Sequence, residues 1–328
     1  MQNKFKNNLA TMLGGLAVIG AVFSVAGCAP AAESTTITIA THDSFVISKQ
    51  QVASFKKQTG LTVKVIKAGD AGALTNKLVL TQGSPIADAY FGIDNSLLGL
   101  ANSAKVAQTS QLIDYGDVCL NYDTYWFRDH NLAAPTSFEQ IALPKYRGLT
   151  VVTDPASSSP GLAFLATTVA KFGTNGWTHF WTKLKANDVK IVAGWEDAYF
   201  NDFSGSSGKG AYPIVLSYST SPAYEIRKDG KPQTASISTD CFRQTEYAGV
   251  LTNAKNPVGA AKLVDFLISP EFQSGIAESM YVYPALKGTK LPADWAKWGK
   301  PADSVVENVV TDEQIRKALL AKWTELFG

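Results

Sequence analysis

"TITIATHDSFVISKQQVASFKKQTGLTVKVIK", residues 36 to 67, contains the unit from which the fold follows. Thr36–Ala40 alternates apolar and polar side chains, as a half-buried strand does. Ile47–Gln58 has apolar positions at Ile47, Val52 and Phe55 with Gly60 beyond, which predicts a helix with a glycine stop. Leu61–Lys67 alternates again. The pattern repeats downstream, with Ala71–Thr81 helical, Ile86–Phe91 a strand and Asn95–Ala104 a helix. Such alternation argues for a mostly parallel α/β sheet flanked by helices.

A second series begins after the strand Val118–Tyr122. Ser137 and Gln140 form a capping-box pattern ahead of a short helix, and Leu149–Val152 reads as a strand. Helices follow at Pro160–Phe172 and Gly176–Asn187, then strands at Val189–Val192 and Ile214–Tyr218. Thr245–Leu251 is a further candidate strand. Asn256-Pro257 and Ser269-Pro270 each pair a good N-cap with proline at the first helical position. Thr311 and Gln314 cap a final amphipathic helix through Phe327. Two α/β series with crossings near 117–122 and 242–250 predict two lobes joined by two hinge strands. One lobe comprises 37–118 and 243–328, the other 119–242.

Residues 1–27 read as a secretory signal, with Lys4 and Lys6 ahead of an apolar run too short to span a membrane. The run closes on Val25-Ala26-Gly27-Cys28, which resembles the lipobox of bacterial lipoproteins. That resemblance implies lipidation of Cys28, residues 28–36 as a tether, and anchoring at the outer face of the cell membrane. Two of the 30 basic residues, Lys4 and Lys6, fall in the signal, so the remainder balances the 28 acids. The balance excludes the electrostatic footprint of a nucleic-acid binder. Cys119 and Cys241 remain. An exported location and an even count favour a disulfide; the alternative is two buried thiols.

Catalytic patterns fail one by one. His42, His130 and His179 form no HExxH or i, i+4 pair, so no zinc site is expected. Ser206-Ser207-Gly208-Lys209 matches S-x-x-K, yet its glycine-rich setting predicts a loop rather than the required helix start. Three other segments are better placed for binding. Ser158 and Ser159 precede Pro160 at a helix start, where free N–H groups favour polar ligand atoms. Trp195 follows the strand Val189–Val192, with Glu196, Asp197 and Tyr199 beside it. "LSYSTSPAY", residues 216–224, ends a strand in five consecutive hydroxyls. Strand ends are where open α/β sheets bind ligands. Hydroxyls, phenols and acidic neighbours together suit a small, flat, polar and cationic molecule.

"THDSF" (41–45), "AGDAGALTNKL" (68–78), "ADAYFGIDNSLL" (87–98) and "DYGDVCLNYD" (114–123) then form a familiar series. "DPASSSPG" (154–161), "GWEDAY" (194–199), "LSYSTSPAY" and "SPEFQSGIAESMYVYP" (269–284) continue it. In these the chain resembles the thiamine-binding solute receptors of ABC importers, which have the two-lobed type II periplasmic-binding-protein fold. The resemblance implies a monomeric receptor rather than an enzyme, without a cofactor. It would capture thiamine or thiamine phosphates in its cleft and deliver them to ABC permease subunits. It places ligand contacts at Asp70, Ala71, Ser158, Ser159 and Trp195, and at Tyr218, Ser219, Thr220, Ser221 and Pro222. Tyr224 and Tyr281 match further aromatic positions. His42 stands where the family often has tyrosine, Ala71 where glycine is frequent, and Tyr281 where tryptophan is usual. The alternative within the fold is a ferric-ion receptor, which His42 would suit. Such receptors use an adjacent tyrosine pair, and the chain has no Tyr-Tyr dipeptide.

Overall fold

A computed structural model describes residues 34–207, 209–306 and 308–327. Strand β1 (Thr36–Thr41), helix α1 (Lys49–Thr59) and strand β2 (Thr62–Lys67) form the expected crossover, β1 and β2 pairing in parallel from Thr36↔Thr62 to Thr41↔Lys67. Helix α1 starts later than its apolar pattern because Ser48 and Gln51 build a reciprocal capping box. Gly60 ends it in left-handed backbone. Ile37 and Ile39 are fully buried between the flanking helices. Helix α2 (Ala71–Leu80) leads to β3 (Ala89–Asp94), parallel to β1, and to α3 (Leu98–Ser103).

The middle of the chain runs through β4 (Gln111–Asp123), α4 (Thr124–Asp129), β5 (Thr150–Thr153), α5 (Ser159–Ala186), β6 (Lys190–Val192) and β7 (Ile214–Tyr218). It returns in β8 (Thr234–Val250), followed by α6 (Pro257–Leu267), α7 (Pro270–Met280) and β9 (Tyr283–Pro284). Helix α8 (Ala293–Trp298), β10 (Val305–Val306) and α9 (Glu313–Phe327) complete it. The strand order is β2-β1-β3-β8-β4-β7-β5-β6. Parallel strands β1–β3 join one end of β8, at Glu246–Val250, whereas β7 joins the far end of β4, at Val118–Tyr122. Two lobes therefore share two long antiparallel strands.

The register of those strands slips between Val118 and Leu120, whose partners are Phe242 and Ile237. Cys119 sits in the slip on one strand and Cys241 on the other. They form a disulfide, their Cα atoms 4.8 Å apart. Both strands are longer than their apolar runs suggested, because polar residues are paired and buried along them.

Three expectations are corrected, and a fourth is met. Ser137 makes no cap; the Gln140 side chain instead bonds Thr136, and Phe138–Ala142 is a 3-10 turn. The last helix is capped by Asp312, which accepts from Gln314 and Ile315 N–H, rather than by Thr311. Thr36 belongs to β1 and not to a tether. The two helices expected across 160–187 abut at Gly173 (φ 70°, ψ 178°), where the helical backbone is interrupted. The signal and Cys28 lie outside the described residues. Among those described, no helix is long and apolar enough to cross a membrane.

Candidate functional site

Trp195 is fixed at several points. Its backbone N–H donates to Asp70 Oδ2 at 2.8 Å, and its Nε1 donates to Ser217 Oγ at 2.9 Å. The ring stacks on Tyr199 at 5.0 Å and meets Tyr218 and Tyr281 at 6.0 and 5.4 Å. The hydroxyl run explains part of this order. Ser217 Oγ lies 2.8 Å from Ser221 Oγ, which also accepts the Tyr218 N–H. Thr220 Oγ1 donates to the carbonyl of Tyr281, and Tyr224 OH donates to that of Ala277. The hydroxyls thus hold the Trp195 ring against β7 and tie the turn beyond β7 to the backbone of Tyr281 and Ala277 in the other lobe.

His42, Asp70, Ser159, Trp195 and Tyr218 converge on one cavity, of ≈ 20 Å³, with Ser44, Pro160, Glu246, Met280 and Val282 completing its wall. That volume is about one water molecule. The lobes are shut around it. Besides the Asp70–Trp195 bond, Ala73 N–H donates to the Ser157 carbonyl at 3.0 Å, and Gln244 Nε2 approaches Ser159 Oγ at 3.3 Å. Toward the cleft mouth a second cavity, of ≈ 310 Å³, shares Ser44, Asp70 and Trp195 with the first. Asp43, Glu196, Asp197 and Lys67 line it.

Other expected residues are buried in supporting positions. Ala71 opens α2 with its N–H engaged by Asp70 Oδ1 at 2.6 Å. Ser158 immediately precedes α5 without capping it, because its hydroxyl turns to Thr153 Oγ1 at 2.9 Å. Ser219, Thr220, Ser221 and Pro222 are buried in the turn beyond β7, outside the lining of either cavity. Tyr224 stacks on Tyr281 with an interplanar angle of 16°. Tyr281 itself has φ 65°, an uncommon left-handed conformation for a bulky residue, next to the site.

Charge is concentrated on one side. Burial pushes the Asp70 carboxyl above its ordinary range, against the pull of the Trp195 and Ala71 N–H groups. The Tyr218 phenol is held neutral, by burial first and then by the nearby Glu246, Asp70, Asp114 and Asp94. Glu246 pairs with His42 at 3.4 Å. Its place in the site was open to inference, since a glutamate interrupting the apolar strand Thr245–Leu251 needs a buried partner. Ser217 stood in the hydroxyl run, whereas Gln244 carried no comparable signal.

A cleft of fixed aromatic rings and carboxylates is chemically suited to a flat cation. Residues 101–303 match the family described as bacterial extracellular solute-binding protein. The thiamine-binding periplasmic protein of Salmonella typhimurium is 29% identical over 322 residues, covering 90% of this chain and 94% of its own. That of Brucella suis is 30% identical over 312 residues, covering 87% of this chain and 90% of its own. A solved periplasmic thiamin binding protein superposes with a TM-score of 0.77 at 24% identity, over 89% of this chain and 96% of that one. That likeness shows a shared periplasmic-binding-protein fold. The matching family is one of solute receptors rather than enzymes, and its members act outside the cytoplasm. The chain belongs to the bacterial extracellular solute-binding proteins.

Proposed function

We propose that this receptor captures thiamine in the cleft between its lobes and delivers it to the permease of an ABC importer. The observation that carries this reading is the immobilised Trp195, set beside Tyr218 and facing Asp70 and Glu246. Thiamine joins a permanently charged thiazolium to a flat aminopyrimidine. An aromatic face attracts the cation, and the carboxylates add Coulomb attraction. The names of the Salmonella and Brucella relatives support the same ligand. The inner cavity is far below the 300–1,000 Å³ usual for ligand pockets. The lobes must therefore part for thiamine to enter the inner cavity between Trp195 and Tyr218.

The lobes divide at 118/119 and 242/243 on this proposal, which places Cys119 and Cys241 at the hinge. Asp70, Ala71, Ser158, Ser159, Trp195, Tyr218 to Pro222, Tyr224, Tyr281 and His42 form the ligand environment. Ser159 and Trp195 touch thiamine directly, and the turn beyond β7 acts mainly by holding the aromatic rings. The receptor works as a monomer, tethered through a lipid on Cys28. The ferric alternative has weaker support, since His42 is engaged by Glu246 and no tyrosine pair adjoins it.

Mass spectrometry of small molecules released from protein purified in rich medium tests the ligand, and calorimetry separates thiamine from its phosphate esters. Trp195→Ala should weaken binding by ~0.5–2 kcal/mol through the cation–π contribution alone. Wild-type affinity in that variant would reject the site. Labelling with a radioactive fatty acid, followed by Cys28→Ala, tests the anchor.

A further inference from the structure

The innermost wall of the cleft is a buried ion pair. His42 and Glu246 are only 7% and 6% exposed, and both line the inner cavity. Glu246 Oε2 faces His42 Nε2 at 3.4 Å, while Oε1 accepts from Gln244 Nε2 at 3.0 Å. Gly92 leaves room for the imidazole, since a Cβ there would lie 2.0 Å from His42 Cδ2. Phe91 meets the ring edge-on at 5.5 Å.

Behind this pair the sheet places two more acids in register. Asp94 on β3 and Asp114 on β4 both stand directly opposite Glu246 on β8. Each is fully buried, and Asp114 has no hydrogen-bond partner on either carboxylate oxygen among the described residues. Like charges opposite one another in a sheet are destabilising, so three carboxylates in a row do not ionise together. Burial, reinforced by Glu246, holds the Asp114 carboxyl well above its ordinary range. Burial also raises Asp94, to about 6, with Glu246 adding to it. Glu246 is the member kept charged. Burial would raise it too, but His42 and its hydrogen bonds outweigh that effect.

His42 is correspondingly pushed toward its charged form. Burial opposes the charge, and Glu246 more than offsets it, with Asp70 at the cap of α2 and Asp43 on the same loop contributing. The neutral Tyr218 phenol faces the pair from β7. In the shut cleft the positive charge beside Glu246 therefore belongs to the protein. A ligand cation approaching Glu246 would compete with it.

Given the thiamine reading above, we propose that the His42–Glu246 pair is a counter-ion exchange site, in which Glu246 selects the ligand's positive ring and the arriving cation displaces the proton from His42 to solvent. No covalent bond changes except the N–H of the imidazolium. Binding is then linked to proton release, and affinity falls by up to tenfold per pH unit below the titration of His42 in the ligand-free receptor. Glu246 is also the residue that discriminates the cation from a neutral molecule of the same shape.

The test is calorimetry on the full chain in buffers of different ionisation heat. It uses thiamine and its neutral deaza analogue, in which a thiophene replaces the thiazolium. Wild type should release a proton with thiamine, release none with the analogue, and prefer thiamine. His42→Gln should abolish the release and, near pH 5, bind thiamine several-fold more tightly than wild type, because no histidine charge competes. Glu246→Gln should reduce the preference for thiamine at least tenfold. Unchanged proton release in His42→Gln, or an unchanged preference in Glu246→Gln, would overturn the exchange. If Glu246→Gln does not fold, the histidine arm decides. Wild type that binds both compounds equally without releasing a proton would reject this proposal alone. Wild type that binds neither would reject the thiamine reading and the proposal with it.

Discussion

Asp70 and Trp195 lie 125 residues apart in sequence, yet the carboxylate of one accepts the backbone N–H of the other at 2.8 Å across the cleft. The other oxygen of Asp70 accepts from Ala71 at the start of α2. One side chain thus caps a helix in the first lobe and latches the second. A helix cap of this kind contributes ~1 kcal/mol, and a hydrogen bond to a charged group ~1.5–3 kcal/mol. Asp70→Ala should lower the melting temperature and, because one of the two Asp70 bonds spans the cleft, enlarge the radius of gyration measured by X-ray scattering. A variant as compact and as stable as wild type would show that the latch contributes nothing.

The disulfide acts on a different quantity. It closes a loop spanning 122 residues, worth ~4–5 kcal/mol in the chain-entropy account, although many bridges deliver less. The bond joins the shared strands at their register slip and touches neither cavity of the cleft. Replacing Cys119 and Cys241 together by serine should move the urea midpoint down markedly and leave ligand affinity near wild type. An unchanged midpoint would argue against any hinge restraint.

Much of this architecture was legible in the sequence because it is local. The Gly60 stop and the Asn256 and Ser269 caps are read within four residues of where they act, whereas the Ser48–Gln51 capping box that sets the start of α1 was missed. Strand β7 matches its apolar run at Ile214–Tyr218 residue for residue. The functional face was legible only in part. Trp195 stood out by its place after a strand. No spacing reveals that Asp94, Asp114 and Glu246 share one row, because that depends on which strands pair and in what register. The hydroxyls of "SYSTS" were visible, but their task of holding Trp195 and Tyr281 emerges only from which strands and turns the fold brings together.

Asp94 gives the row a pH signature. Burial raises its carboxyl from 3.8 to about 6. A raised carboxyl contributes stability that is fully present below its unfolded value and is lost as pH rises through the folded one. At ~1.4 kcal/mol per pH unit, ionising it in the folded protein costs on the order of 3 kcal/mol. Asp94→Asn keeps an Oδ1 acceptor for Ser96 and Leu97 and removes that cost. Denaturant melts should show the variant stabilised relative to wild type at pH 8 and little changed at pH 4. Destabilisation of equal size at both values would show that the carboxyl ionises freely in the fold.

Gly72 reports on closure itself. It lies in the first turn of α2, and a Cβ added there would come within 2.7 Å of the Ser157 carbonyl on the opposite lobe. The atoms it would meet are backbone, held by the neighbouring Ala73–Ser157 hydrogen bond, so they cannot swing aside as a side-chain tip could. In a parted cleft the same methyl faces solvent and favours the helix, since alanine exceeds glycine in a helix by ~1 kcal/mol. Gly72→Ala therefore burdens only the shut state. Each ~1.4 kcal/mol of that burden lowers ligand affinity tenfold, because a ligand enclosed by both lobes must restore the closure. Scattering should give a larger radius of gyration for the variant than for wild type, while its melting temperature is maintained or raised and its ligand affinity falls. A variant that stays as compact as wild type and binds as tightly would mean that α2 and the Ser157 loop slide past each other freely, and that the lobes do not close along this seam.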